Sequence, residues 1–477
     1  MTDCHGADRP LAFFEFGGTT MLAVAVWISM LGFLYGWPSV PHWPLRVIAV
    51  LLTLITIRRL HAERPFMLLS PLLLLPVVII VFFVVGPSVY SSPENLADFR
   101  PDFKVPIERY LSGPAELIVL QFAIWCLIVC LAIRSHAPLQ ISPHTRLSTN
   151  LVGGSAISML LGSVALLLGQ SIYSPVTEWM KTGLGLQVLH GVPPVVSFSI
   201  AVLTWLAAFN RRWRPLALTA GIIGCAALFS LANAKTPAFV AASCLLLYLV
   251  LSPGNLKNIC YGIVAVLSII IVSTLVLAEI RFGIVSNVMV GADSRGLSAL
   301  SKAVTYKLVL RQVDTAGCFS NVIERRLLAP PDRSPGYFIG AIVPRMLWPD
   351  KPNLSQGDQL AVDYCDIPIQ SVYGPGFVHS ASVTLLGEPT IAAGWGGLMV
   401  AQITLAIGLA LATILLLRSA AVGAVTLTAL LPWLVDFDQS LALYIANAVK
   451  MFFYISPAAA LFVWAERLPS TSRRPMD

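Results

Sequence analysis

Charged side chains are scarce in this chain of 477 residues. Asp, Glu, Lys and Arg make up 12% of it, which is about half the share found in soluble domains. Apolar residues make up 57%, and the mean hydropathy is +0.79. Unbroken apolar runs of the length that crosses a bilayer, about 20 residues, recur along the sequence. They exclude a soluble fold and a transmembrane β-barrel, whose segments are short and alternating. The composition predicts an all-α polytopic membrane protein.

Metal and nucleic-acid motifs are also missing from the sequence. The eight cysteines form no C-x-x-C pair, and the histidines form no cluster at ligand spacing, so we expect no metal and no other cofactor. The net charge of +7 comes without a basic tract interleaved with aromatics, so nucleic acid is not an expected partner. Cys318 and Cys365 share one long loop, where an oxidising compartment would allow a disulfide. We expect none.

About twelve apolar runs follow one another from near Gly18 to near Trp464. If the amino terminus lies inside, the inner turns collect most of the basic residues. This positive-inside bias predicts that both termini are cytoplasmic. The inner turns hold Arg58, Arg59, Arg64, Arg134, Arg146, Arg211, Arg212, Arg214, Lys257, Arg418, Arg467, Arg473 and Arg474. The short outer turns hold Arg100, Lys104, Arg109, Lys181 and Lys235.

One long polar segment separates the ninth run from the tenth. Glu279–Gly394 contains ten of the 31 Lys and Arg residues and ten of the 24 Asp and Glu residues. The alternation of the runs predicts that this loop lies outside. Its basic residues do not conflict with that prediction, because loops beyond ~60 residues escape the charge rule. We divide the chain into spans one to nine (1–278), a large outer loop expected to act as a catalytic lid (279–393), and spans ten to twelve with a cytoplasmic tail (394–477).

Two helices are predicted inside the long loop. Leu297, Leu300, Val304 and Leu308 recur at helical spacing, which indicates an amphipathic helix on the membrane surface. The stretch NVIERRLL predicts a second helix, and the proline-rich PPDRSPG that follows would end it.

The basic residues at outer helix ends and in the loop are the first functional candidates. Guanidinium groups bind phosphate oxygens in pairs, so a cluster of them at a lipid surface suits a pyrophosphate. The alternative is that each is a solvated loop charge or a contact to lipid head groups. The set consists of Lys235, Arg281, Arg325, Arg326, Arg333 and Arg345.

His379 and Glu388 are the candidate proton acceptors. A histidine titrates near working pH and could take a proton from a sugar hydroxyl, while Glu388 could do the same or orient the histidine. His379 could instead be a hydrogen-bonded turn residue. Glu388 could instead be a helix-start carboxylate near the dipole of the tenth span.

Aromatic residues and one buried lysine complete the candidates. Three prolines in VPRMLWPDKPN stiffen the turn around Trp348, which with Tyr373 is assigned to stacking on sugar rings; interfacial anchoring is the alternative for Trp348. Lys450 lies inside the twelfth apolar run, where a lysine suggests function. It could pair with Asp436 or Asp438, or it could snorkel to the interface.

Several stretches carry a resemblance to a known family. They are IVPRMLWPDKPN, the later HSASVTLLGEPTIAAGWGG, the turn SLANAKTPAF, and the separation of Arg325 from Gly336 by ten residues. With about twelve spans and one large late loop, they resemble the Wzy-type polymerases, the O-antigen and exopolysaccharide polymerase superfamily. Lys235 stands where this family more usually has arginine. The specific motifs span little over a hundred residues.

The resemblance implies a glycosyltransferase of the bacterial inner membrane with its active site facing the periplasm. The donor would be an oligosaccharide on undecaprenyl pyrophosphate and the acceptor a second lipid-linked repeat unit. Lys235, Arg281 and Arg345 would hold the pyrophosphate, and His379 or Glu388 would activate the acceptor hydroxyl. A membrane protein that regulates chain length is a further expected partner, besides the lipid bilayer itself.

Two other functions stay open at this stage. An O-antigen ligase-like enzyme would transfer the chain to the lipid A core instead of a second repeat unit. A transporter or flippase for lipid-linked sugars would belong to a different class. Transporters tend to show internal repeats and midplane charges, whereas the charges here concentrate in an outer loop, which favours an enzyme.

Overall fold

The structure, a computed structural model, describes most of the apolar runs of the sequence and part of the long loop. The described residues are 43–81, 114–133, 149–172, 183–230, 235–252, 315–331, 338, 340, 343, 348, 360, 363–365, 383–418 and 420–467. Within these ranges all regular secondary structure is helical and no strand occurs. The predicted all-α class is confirmed for this part of the chain.

We number the helices of these ranges α1 to α11 in chain order. They are α1 (Trp43–Glu63), α2 (Pro71–Ile80), α3 (Pro114–Ala132), α4 (Thr149–Ile172), α5 (Gly183–Phe209), α6 (Arg214–Ser230), α7 (Lys235–Leu251), α8 (315–326), α9 (Thr384–Arg418), α10 (Ala420–Leu434) and α11 (Leu441–Arg467). Short 3-10 turns, Pro65–Leu69 and Arg211–Trp213, follow α1 and α5.

Four of the described helices are long and apolar enough to cross a membrane. The spans are Pro114–Ala132, Val188–Phe209, Thr384–Leu417 and Leu441–Val463. Shorter apolar helices lie within α2, α4, α7 and α10. These helices fit a membrane-embedded protein, as the composition predicted. The total of twelve spans and their orientation stay predictions.

Burial separates central helices from peripheral ones. Nearly every side chain of α3 is buried, including Phe122 and Trp125, as expected for a helix that is apolar all round. In contrast, α1 exposes Leu54 and Ile55, and α11 exposes Phe453. Large apolar side chains on an outer surface suit contact with lipid.

Polar contacts and ring packing bring several helix termini together at one end of the bundle. Arg64 Nη1 donates to the carbonyl oxygen of Ile133 at 2.5 Å, which joins the ends of α1 and α3. The Ser70 and Thr413 hydroxyls lie 3.0 Å apart, which places the start of α2 beside the last turns of α9. The ends of α7 and α5 also meet, through Ser252 Oγ and the carbonyl of residue 208 at 3.4 Å.

This end of the bundle also carries exposed arginines, and we call it the arginine end. Phe66, just after α1, lies 6.5 Å from Trp205 near the end of α5, measured between ring centroids. The ends of α1 and α5 are therefore neighbours. The exposed basic residues that follow or close these two helices are Arg58, Arg59, Arg211, Arg212 and Arg214.

A partly buried ion pair, which was not predicted from the sequence, joins the starts of α1 and α3. Arg46 Nε lies 2.5 Å from Glu116 Oε1, and Arg46 Nη2 lies 2.9 Å from Glu116 Oε2. The Glu116 side chain is 6% exposed and that of Arg46 25%. A two-pronged contact of this kind is the strongest geometry for a guanidinium and a carboxylate.

We expect Glu116→Ala to destabilise the protein by about 3 kcal/mol, because it leaves a partly buried guanidinium without its carboxylate. The measurement is the shift of Tm for purified protein in detergent. The matched control is Glu63→Ala, because the pair of Glu63 with Arg59 is about half exposed on both sides. Exposed pairs contribute roughly 0–1 kcal/mol. Equal shifts in the two variants would contradict the assignment.

Candidate functional site

The starts of α9 and α11 lie together, and with α8 they form what we call the loop end. The backbone N–H of Leu385 donates to the carbonyl of Phe437 at 3.2 Å. Glu388 in α9 contacts the backbone of Ala442 in α11. α9 therefore extends from this end to the arginine end.

One face of α8 holds the short segment 363–365. Cys318, Asn321 and Arg325 follow each other at spacings of three and four, which place them on one side of a helix. Cys318 is joined to residue 365 by a disulfide, and Asn321 Nδ2 donates to the carbonyl of residue 364 at 2.9 Å. Arg325 Nη1 donates to the carbonyl of residue 363 at 2.8 Å.

The expectation that Cys318 and Cys365 stay unpaired is wrong. The two cysteines are separated by 47 positions, and their spacing alone does not show that they meet. They meet because Cys318, Val322 and Leu360 pack in one small apolar cluster against the start of α9.

A kink in α9 is built around Gly394. Its φ is +56°, and a Cβ at this position would lie 3.0 Å from the carbonyl oxygens of Leu327 and Ala329. The backbone N–H of Trp395 donates to the carbonyl of Leu327 at 2.8 Å instead of bonding within the helix. Glycine suits this position because it adopts positive φ without strain and leaves room for the neighbouring backbone.

The structure gives α9 an earlier start than the sequence predicted. The tenth span was expected from about Gly394, but α9 begins at Thr384 and is kinked at Ala393–Gly394. Thr384 itself has φ +72°, and its hydroxyl accepts from the backbone N–H groups of Leu386 and Gly387, both at 3.3 Å. Its side chain thus satisfies donors of the first helical turn in the manner of an N-cap.

Glu388 is fully buried and caps another helix. Its Oε2 accepts from the backbone N–H of Ala442, in the first turn of α11, at 2.7 Å. The carboxylate faces the positive end of the α11 dipole, where a negative charge is favoured. The sequence had suggested, as an alternative to proton transfer, that Glu388 lies near the dipole of the tenth span, which is α9. The structure instead shows it at the start of α11. Proton transfer by Glu388 stays a prediction.

Arg325 and Arg326 both hold backbone at the loop end. Arg326 Nη2 donates to the carbonyl of Ile391 at 3.0 Å and to that of Pro330 at 2.9 Å. Arg325 is exposed and contacts the backbone of residue 363. Each guanidinium has five N–H donors, so backbone contacts and an anion contact are compatible. Their assignment to a pyrophosphate stays a prediction.

Lys450 has no acidic partner among the described residues. It lies half-buried in α11, and neither Asp436 nor Asp438 forms an ion pair with it. Asp436 instead accepts a hydrogen bond from Gln439 Nε2, and Gln439 Oε1 accepts from Asn447 Nδ2 at 2.8 Å. Asp436, Gln439 and Asn447 are thus linked by hydrogen bonds, and Asn447 lies about one helical turn before Lys450.

The other predicted site residues differ in how far the structure describes them. Trp348 is described: it is 41% exposed, and a Cβ on Gly340 would lie 3.3 Å from its ring. Lys235 is the first residue of α7, and its side chain lies outside the described residues. Five candidates lie wholly outside them, namely Arg281, Arg333, Arg345, Tyr373 and His379.

In the part of the chain that the structure describes, no three His, Cys, Asp or Glu side chains come together as a possible metal site. The polar groups of the described loop end are arginine, glutamate, amide and hydroxyl side chains. Thr384, Gln439 and Asn447 were not among the predicted residues. In the sequence, each is only a polar residue beside or within an apolar run.

Comparison with known proteins gives no relative. No protein-family model matches the chain, and no curated protein or solved structure is detectably similar to it.

The disulfide predicts a specific alkylation pattern. In denatured, non-reduced protein, we expect two of the eight cysteines to become reactive towards maleimide–polyethylene glycol only after reduction. The increment should vanish in the Cys318→Ser/Cys365→Ser double variant, because these residues form the bond. A Cys126→Ser variant, which removes a buried free thiol, is the control and should keep the increment. If reduction adds no reactive thiols to the wild type, the bond is absent.

Substitutions of Glu388 separate helix capping from proton transfer. We expect Glu388→Ala to lower stability by about 1 kcal/mol, since it removes the acceptor for the Ala442 N–H. Glu388→Gln should stay near the wild-type Tm, because the amide oxygen can still accept that bond. The control is Glu324→Ala, which removes an exposed glutamate of α8. If Gln destabilises as much as Ala, the charge and not the hydrogen bond dominates.

Proposed function

We propose that this protein is a polysaccharide polymerase of the bacterial inner membrane. It joins oligosaccharide repeat units carried on undecaprenyl pyrophosphate at the periplasmic face, without a metal. In this proposal the chain crosses the membrane about twelve times with both termini in the cytoplasm. The resemblance to Wzy-type polymerases supplies the reaction, and a chain-length-regulating membrane protein is an expected partner.

The disulfide is the single observation that best supports a periplasmic position for the proposed reaction. It belongs to the loop end, whereas the exposed arginines of the short turns lie at the other end of the bundle. Disulfides persist in oxidising compartments such as the bacterial periplasm. Arginine-rich short turns favour the cytoplasm. Both observations support a periplasmic loop end.

The proposed chemistry uses loop-end and long-loop residues in separate roles. Lys235, Arg281 and Arg345 bind the pyrophosphate and stabilise the charge that develops on it as the glycosidic bond to the donor breaks. His379 accepts the proton of the acceptor hydroxyl. Glu388, through its contact with α11, positions the helix start beside this site. Trp348, which is exposed, offers a face for a sugar ring.

We expect Arg281→Ala and His379→Ala each to abolish polymer formation while the protein remains inserted in the membrane. The measurement is incubation of purified protein with lipid-linked repeat units, followed by a gel that resolves the ladder of products. The control is Arg59→Ala at the arginine end, whose exposed side chain pairs only with Glu63 among the described residues; it should keep the ladder.

The same incubation separates the alternatives. A ligase would form no ladder and would label a lipid A core acceptor. A flippase would move lipid-linked sugar between leaflets without forming a bond. Full-length chains made by both variants would remove the proposed site.

A further inference from the structure

A crevice runs along the bundle between α4 and α11, and α5 forms its floor. Both flanking helices pack on α5 but share few contacts with each other. The crevice widens into a groove of about 80 Å³ that is open along one side. Its largely apolar lining includes Met159 of α4, Phe198 and Val202 of α5, and Ala458 and Leu461 of α11.

Two basic side chains lie further along the same crevice, towards the loop end. His190 is exposed on α5 and lies within electrostatic range of Lys450 on α11. The two helices touch here, since a Cβ on Gly191 would lie 3.0 Å from the Tyr454 ring. Lys450, Tyr454 and Ala458 follow at spacings of four, so the cation and the groove share one side of α11.

The lysine needs an anion from outside the described bundle. A lysine inside an apolar helix is unfavourable unless it is paired or reaches water. Both aspartates at the start of α11 are engaged elsewhere, and neither pairs with Lys450. His190 brings no negative charge. An anionic ligand at this point would pair with Lys450 and accept a hydrogen bond from the imidazole.

Distances along the helices define the shape of that ligand. His190 precedes Phe198 by eight positions, as Lys450 precedes Ala458. At 1.5 Å per residue, each basic residue lies about 12 Å from the groove. This is close to half the thickness of the hydrocarbon core, about 15 Å. A ligand that fills both places therefore has an anionic head and a hydrocarbon chain.

The charge beside the groove decides between two kinds of anionic head. A single lysine with one imidazole beside it matches a head with one phosphate better than a pyrophosphate, whose larger charge calls for more than one cation. A lipid with one phosphate is therefore favoured at this place.

We infer that the crevice binds one anionic phospholipid of the phosphatidylglycerol type. Its phosphate lies at His190 and Lys450, one acyl chain fills the groove, and Tyr454 lies beside the connecting carbons. A zwitterionic head would bring its own cation close to Lys450 and is disfavoured there. This inference does not depend on the reaction proposed above.

The test measures binding of fluorescent phosphatidylglycerol to the purified full-length protein in neutral detergent micelles, with phosphatidylcholine and undecaprenyl phosphate as competitors. We expect phosphatidylglycerol to compete best. Lys450→Gln should weaken its binding about fivefold, the contribution of one cation near an anionic lipid. His190→Gln should weaken it less, because the imidazole contributes a hydrogen bond and not a second full charge. Lys450→Arg keeps the charge and should restore binding, which distinguishes lost recognition from misfolding.

A second pair of variants tests the groove. Ser155 and Thr404 are both exposed hydroxyl residues that bond the carbonyl four positions earlier in their own helices. Ser155 lines the groove, so Ser155→Phe should block the acyl chain and weaken binding at least fivefold. Thr404 lies on α9, outside the groove lining, so Thr404→Phe should not change binding. Equal effects of the two, equal binding of phosphatidylcholine, or displacement by undecaprenyl phosphate alone would overturn the inference.

Discussion

The contact between the Glu388 carboxylate and the N–H of Ala442 holds the loop end together. The first turn of every helix leaves backbone N–H groups without partners inside that helix. In an apolar bundle water does not readily supply those partners, so another side chain has to do so. Glu388 does this for α11 from within α9. Apolar packing restricts the register of two helices, and this directional bond adds a specific contact between one turn of α9 and the start of α11.

The kink at Gly394 also leaves a backbone N–H group without a partner inside its own helix, and another segment supplies the acceptor. The positive φ of Gly394 breaks the regular ladder of α9, and Leu327 supplies an acceptor for the exposed N–H of Trp395. Arg326 reinforces the contact by binding the carbonyl of Ile391. Since α8 is also joined to residues 363–365, the loop segments next to α8 and the first half of α9 form one connected unit. Two arginines that the sequence suggested for an anion thus have an architectural role.

Most of the correct predictions from the sequence came from its apolar runs. The helical membrane class, and the helices α3, α5, α9 and α11, follow from apolar runs because burial of such runs depends little on the rest of the fold. The early start of α9 did not follow, since Glu388 reads as a loop residue until its partner, 54 positions later, is known. The pairing of Cys318 with Cys365 failed for a similar reason, because sequence spacing does not report which segments pack together. The environment of Lys450 likewise required α5 to be placed beside α11.

The position of the partner of Glu388 has a consequence for how the chain is assembled. Synthesis proceeds from α9 through α10 to α11, so the carboxylate reaches its apolar surroundings well before Ala442 exists. During that interval a charged Glu388 would be unfavourable in the hydrocarbon core. We therefore expect the final seating of α9 in the bilayer to follow the synthesis of α11.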